Sequence, residues 1–133
     1  MVGLLAQAIE RRVAEELPAV KGPTDQLTQV VLNLLLNAAD AIDGEGSILI
    51  EVDLHPERDD TIRLEISDSG PGIDAEILPH LFEPFVTTKP TGEGTGLGLA
   101  VTHTLVERLG GTIEAENDPL GGARFVVDLP VAG

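Results

Sequence analysis

The chain has 133 residues, no cysteine, and 23 acidic against 8 basic side chains, a formal net charge of −15 at pH 7. That length suits one domain with a two-layer core, the charge disfavours nucleic acid and anionic membranes, and zero cysteine excludes disulfides and thiolate metal sites. No apolar run reaches the roughly 18 residues of a membrane span and no signal-peptide pattern opens the chain, so a soluble, cytoplasmic domain without direct membrane contact is expected.

Leu4 to Leu17 is a short amphipathic stretch, open between helix and strand, closed by Pro18 and the turn-rich Lys21-Gly22-Pro23. Thr24 or Asp25 can cap a largely buried helix with apolar residues from Leu27 to Ile42, ended by Gly44 and Gly46. Ser47 to Leu54 and Thr61 to Ser67 alternate apolar with polar residues and predict a hairpin connected by His55 to Asp60. A short helix around Ala75 to Leu81 precedes a stretch rich in Gly, Pro and Thr that reads as a mobile lid over 83–96. Leu97, Ala100, Val101, Leu105 and Leu109 predict one face of a second long helix, stopped by Gly110-Gly111, with strands following at 112–117 and 122–129.

Three signals in this order carry chemistry. Asn33 and Asn37 lie four apart on the first helix, so both amides project from one face, with Asp40 a turn further on. They are either core asparagines bonded to each other or to backbone, or a site in which the Asn37 oxygen serves a Mg²⁺ bridging phosphates. Asp68 ends a strand, and Gly70 and Gly72 let the chain turn with no Cβ in the way of a flat ligand. A carboxylate there can accept from the adenine amine, whereas guanine would set a carbonyl oxygen against it, so ATP is expected over GTP. Gly94, Gly96 and Gly98 expose N–H groups before a helix, where the dipole and unpaired amides favour phosphate. The spacing is neither G-x-G-x-x-G nor a G-K-[ST] loop. Lys89, beside Thr87 and Thr88, is the cation best placed in sequence to reach the β or γ phosphate. His55, His80 and His103 show no metal-ligand spacing and no nucleophile context, and read as structural or surface residues.

Gln29 to Ala41, Asp68 to Ile73, Leu81-Phe82-Glu83-Pro84-Phe85 and Gly94 to Leu99 resemble the N box, first glycine box, F box and second glycine box of sensor histidine kinase catalytic domains. The wider superfamily includes gyrase B, heat-shock chaperones and mismatch-repair ATPases. The resemblance spans roughly residues 22 to 130, with Gly110 to Ile113 and Gly121 to Phe125 similar to the closing strands. It implies an α+β fold, a two-layer α/β sandwich of the Bergerat type, with a mixed, mostly antiparallel sheet and helices on one face. Residues 1–21 then lead from a dimerisation and phosphoacceptor region, and 22–133 form the ATP-binding catalytic domain.

The implied catalytic residues are Asn33, Asn37 and Lys89. The nucleotide contacts implied are Asn37, Asp40, Asp68, Gly70, Gly72, Ile73, Phe85, Thr88, Lys89, Gly94, Thr95, Gly96, Leu97, Gly98 and Leu99, with Asn37 on Mg²⁺. Many members carry lysine where Asp40 stands, so no phosphate contact is carried over to it. Hydrolytic relatives have glutamate at the place of Asn33; an amide cannot take the proton of water, which favours transfer over hydrolysis. The chain lacks a His-Glu/Asp-Pro phosphoacceptor box before its N box. The acceptor histidine is therefore expected on a separate dimerisation domain, with a response regulator downstream and the fragment itself monomeric. Two alternatives stand beside this reading: one resembles the anti-sigma-factor serine kinases, stand-alone versions of the fold, and the other, from a different class, is a nucleotide-sensing module that closes its lid on ATP and signals by docking without catalysis.

Overall fold

The computed structural model describes residues 7–15, 17, 22–42, 46–83, 98–119 and 121–132, with the side chains of 7–9 excluded. Its elements are β1 (Gln7–Val13), α1 (Thr24–Ala41), β2 (Gly46–His55), β3 (Arg58–Asp68), a 3-10 turn at Leu78–His80, α2 (Gly98–Arg108), β4 (Thr112–Asn117) and β5 (Ala123–Pro130). They form one five-stranded sheet in the order β1-β2-β3-β5-β4. The β1–β2 pair is parallel and the other three pairs are antiparallel. A parallel pair needs a crossover connection, and α1 supplies it. The sheet is thus mixed and mostly antiparallel, as expected, and the amphipathic stretch left open in sequence is a strand.

Alternation decides which face the helices cover. Ile48 and Ile50 on β2, Leu64 and Ile66 on β3, and Phe125, Val127 and Leu129 on β5 are buried in one cluster with Val30, Leu34 and Ala38 of α1 and Val106 of α2, and Ile62 on β3 is buried as well. Period-two burial in the strands meets period-3.6 burial in the helices, which makes two layers with one core between them.

Local departures from the sequence reading have identifiable causes. The N-cap of α1 is Pro23, with no side-chain cap; Thr24 is already helical, and its carbonyl accepts from the Thr28 hydroxyl at 2.9 Å. Proline at φ −67° holds the entry angle that a capping side chain would otherwise set. The helix ends at Ala41, and Gly46 begins β2, while Gly44 lies outside the described residues. One face of α1 is open, with Leu32 47% and Leu36 43% exposed, so the helix is less buried than its composition suggests. The hairpin connection is shorter than predicted, because β2 runs through His55 and β3 starts at Arg58 with a register shift at Leu54/His55. Around Ala75 to Leu81 the chain makes turns and a single 3-10 turn in place of an α-helix. Pro79 has no N–H to give a longer helix, and Asp74 spends its carbonyl on both Ile77 and Leu78.

On α2 the predicted face is rotated. Val101 is 48% exposed, and Thr102 takes the fully buried position beside Val106 and Leu109. A hydroxyl can replace an apolar side chain there because it is doubly bonded: it donates to the Gly98 carbonyl at 2.8 Å and accepts from Asn33 at 3.1 Å. The helix stops as expected, with Gly110 N–H bonded to Glu107 and Gly111 N–H to Val106.

Candidate nucleotide site

The site is assembled on α1, which meets the end of β3 at one point and the start of α2 at another. Gly70, just past β3, lies so close to the C-terminal turn of α1 that a Cβ there would sit 2.7 Å from the Ala41 carbonyl oxygen. Toward the other end, Gln29 donates to Asn33 Oδ1 at 2.7 Å, and Asn33 Nδ2 donates to Thr102 Oγ1. A continuous hydrogen-bond chain therefore runs Gln29, Asn33, Thr102, Gly98, from the middle of α1 to the first residue of α2.

Asp68 is the one buried acid among the described residues, 6% exposed. Its Oδ1 accepts from Gly70 N–H at 2.8 Å and from Ala123 N–H at 3.3 Å. Burial raises its pKa above the ordinary carboxylate value, and the Gly70 and Ala123 bonds pull it part of the way back. Both bonds fall on one oxygen, which leaves Oδ2 unpartnered among the described residues. Gly122 packs against the same aspartate: at φ +85°, a Cβ would stand 1.8 Å from the Asp68 carbonyl oxygen. Only glycine allows that approach.

The loop beyond Asp68 is braced at two places. Ser69 exchanges bonds with Ser47, its N–H to the Ser47 carbonyl at 3.0 Å and its Oγ accepting the Ser47 N–H at 2.9 Å. Ile73 is held by Asn117, whose Oδ1 accepts the Ile73 N–H at 2.7 Å while its Nδ2 donates to the Ile73 carbonyl at 2.8 Å.

Asn37 is half-buried, and its amide has no hydrogen-bond partner among the described residues. Asp40 is exposed. Asn33, by contrast, is engaged on both sides of its amide. Gly98 and Leu99 open α2, while Phe85, Thr88, Lys89, Gly94, Thr95, Gly96 and Leu97, with the lid from Pro84 onward, lie outside the described residues. Of the F box, Leu81 is buried, and Phe82 packs on His103 with ring centroids 5.4 Å apart and edge-on to Phe125 at 6.3 Å. The structure thus carries Asn33 and Asn37 on one helix, sets Gly70 against the C-terminal turn of that helix, and ties Gly72 and Ile73 to Asn117. It adds Thr102, Asn117, Gly122 and Ala123, which the sequence reading missed. Thr102 stood out only as a polar residue amid an apolar helix face, and Asn117 only as an amide before Asp118-Pro119.

The fold is an α/β sandwich with a buried acid at a strand end, a glycine turn beside it and amide-bearing side chains on the neighbouring helix. A profile described as histidine kinase-, DNA gyrase B-, and HSP90-like ATPase matches residues 22–133, and the chain belongs to that family. It is 42% identical over 142 aligned positions to the two-component sensor PprA of Pseudomonas aeruginosa, covering 98% of this chain and 15% of that protein. It is 45% identical to the sensor histidine kinase ZraS of Escherichia coli O157:H7, covering 88% of this chain and 24% of ZraS. Among solved structures, the catalytic domain of histidine kinase ThkA superposes with a TM-score of 0.83 at 28% identity, over 99% of this chain and 85% of that one. The mycobacterial sensor histidine kinase MprB gives 0.82 at 30% identity, over 96% and 83%. The chain spans under a quarter of the length of PprA and ZraS.

Proposed function

We propose that this domain binds ATP and transfers its γ-phosphoryl group to a histidine carried on a separate dimerisation domain, from which a response regulator would draw it. The observation that carries the nucleotide reading is Asp68: a buried carboxylate with one oxygen tied to main-chain amides and the other left to accept a hydrogen bond. In this reading Oδ2 accepts from the adenine amine, with Gly70, Gly72 and Ile73 passing beside the base. The sensor kinases among the relatives support phosphotransfer to histidine as the chemistry.

Mg²⁺ fits the donor set. Among the described residues no cluster of three or more His, Cys, Asp or Glu could hold a metal ion, while the Asn37 amide is unpartnered. One neutral oxygen suits a cation that keeps its waters and takes its remaining ligands from phosphates. Asn37 would hold it, and the ion would supply charge neutralisation at the phosphates. Asn33, amide-bearing and engaged on both sides, provides no base for water, which favours transfer over hydrolysis. Lys89 and Thr88 of the lid 83–96, Phe85, the loop from Gly94 to Leu99, and Asp40 complete the proposed contacts. The unit proposed for this activity is 22–133 together with the edge strand β1 of the same sheet, in the cytoplasm, with residues 1–21 leading from the dimerisation region. No helix of the described residues is long and apolar enough to cross a membrane.

The test is incubation with γ-labelled ATP and Mg²⁺, with and without a sensor-kinase dimerisation domain, followed by acid treatment. Acid-labile label on the added domain is the expected result. Acid-stable label on a protein substrate would replace this reading with a serine kinase, and ATP binding without transfer to any cognate domain would replace it with a nucleotide sensor.

A further inference from the structure

We propose that Asn117, at the end of β4, is a positioning residue for purine binding, acting through the backbone of Ile73. The proposal rests on the nucleotide reading of Asp68 and of the loop that follows it.

Past Asp68 the chain leaves the sheet, and residues 70–73 pair with no strand among the described residues. Asn117 supplies the missing partner. Its amide takes both main-chain groups of Ile73, accepting the N–H at 2.7 Å and donating to the carbonyl at 2.8 Å. In an antiparallel ladder, a hydrogen-bonded residue pair exchanges these same two bonds, so the side chain stands in for one residue of an absent strand. The orientation of the amide is fixed by its partners, since a flip would face donor to donor and acceptor to acceptor. The neighbouring residue records how close the approach is: at Gly72, φ +88°, a Cβ would lie 2.9 Å from Asn117 Oδ1.

The same β4–β5 turn grips the other end of the loop through Ala123 N–H on Asp68 Oδ1 and Gly122 against the Asp68 carbonyl. One hairpin end thus fixes the acid that would read the base and the backbone that would lie beside it. Holding the loop before the ligand arrives removes an ordering cost from binding. Asn117 is exposed and outside the core, so this role is separable from folding.

The test is calorimetric titration of the 133-residue chain, Asn117→Ala and Asn117→Asp with Mg-ADP and Mg-ATP, together with hydrogen exchange at Ile73 and thermal melting without nucleotide. Asn117→Ala should weaken ADP and ATP by the same factor, roughly tenfold, because the clamp acts on the base end that both share. Asn117→Asp should lose at least as much, since it keeps the acceptor for the N–H but sets a carboxylate oxygen against the Ile73 carbonyl. Exchange at Ile73 should quicken in both, with Tm within about 2 °C of the parent. Parent-like affinity or parent-like exchange at Ile73 in Asn117→Ala would overturn the proposal while leaving the nucleotide reading intact, as would an affinity loss matched by a fall in Tm. Failure of the parent chain to bind ADP would overturn the nucleotide reading and this proposal with it.

Discussion

Asn33 on α1 donates to the fully buried Thr102 hydroxyl on α2 at 3.1 Å, and Thr102 passes the bond to the Gly98 carbonyl at 2.8 Å. The two helices that flank the site are therefore joined by a polar contact inside an apolar layer. Such a contact is costly to break on one side only.

Thr102→Val is isosteric and keeps the packing, but leaves the Asn33 amide without its acceptor. A loss of about 1–2 kcal/mol in denaturant unfolding is expected, with Thr102→Ser recovering most of it. Equal midpoints for the parent and the valine variant would show that the contact adds nothing to stability.

Asp68→Asn separates stability from recognition. Because burial raises the Asp68 pKa in the folded state, the folded chain binds this proton more tightly than the unfolded chain. The stability tied to that proton is fully present below the unfolded carboxylate pKa and is lost as pH rises through the folded one. At neutral pH the nucleotide-free asparagine variant should be at least as stable as the parent, and that advantage should vanish in acid. Its preference for ATP over GTP should fall at least roughly tenfold, since an amide offers guanine a donor. Melting across pH and competition binding with the two nucleotides check the two halves.

Asn37→Ala removes the amide assigned to Mg²⁺. Binding of ATP in the presence of Mg²⁺ should weaken at least roughly tenfold and approach the value measured with EDTA. An undiminished Mg²⁺ dependence in calorimetry would take Asn37 out of the metal site.

Gly122→Ala places a Cβ against the Asp68 carbonyl oxygen at a positive φ. The variant should be destabilised by at least about 2 kcal/mol, from backbone strain together with displacement of β3 from β5. Chemical denaturation reads the loss directly.

Much of this protein was legible before any coordinates. Period-two alternation at Ile62, Leu64 and Ile66 located the strand, and the apolar run from Leu27 to Ile42 located the helix, because a buried face demands apolar residues at the element's own period. The order of Asn37, Asp68 and Gly98 pointed to a nucleotide through the chemistry of the residue types alone. Tertiary structure decided what depends on partners distant in sequence. The stretch before Pro18 became a strand only because β2 offered it an edge. Thr102 displaced Val101 from the core because Asn33, 69 residues away, could satisfy its hydroxyl. Asn117 acquired a role because β4 ends beside Ile73, 44 residues earlier in the chain. Local periodicity reports which face of an element is buried; which polar group can be buried there depends on the hydrogen-bond partner that the fold delivers, and that partner is fixed only when the elements have packed.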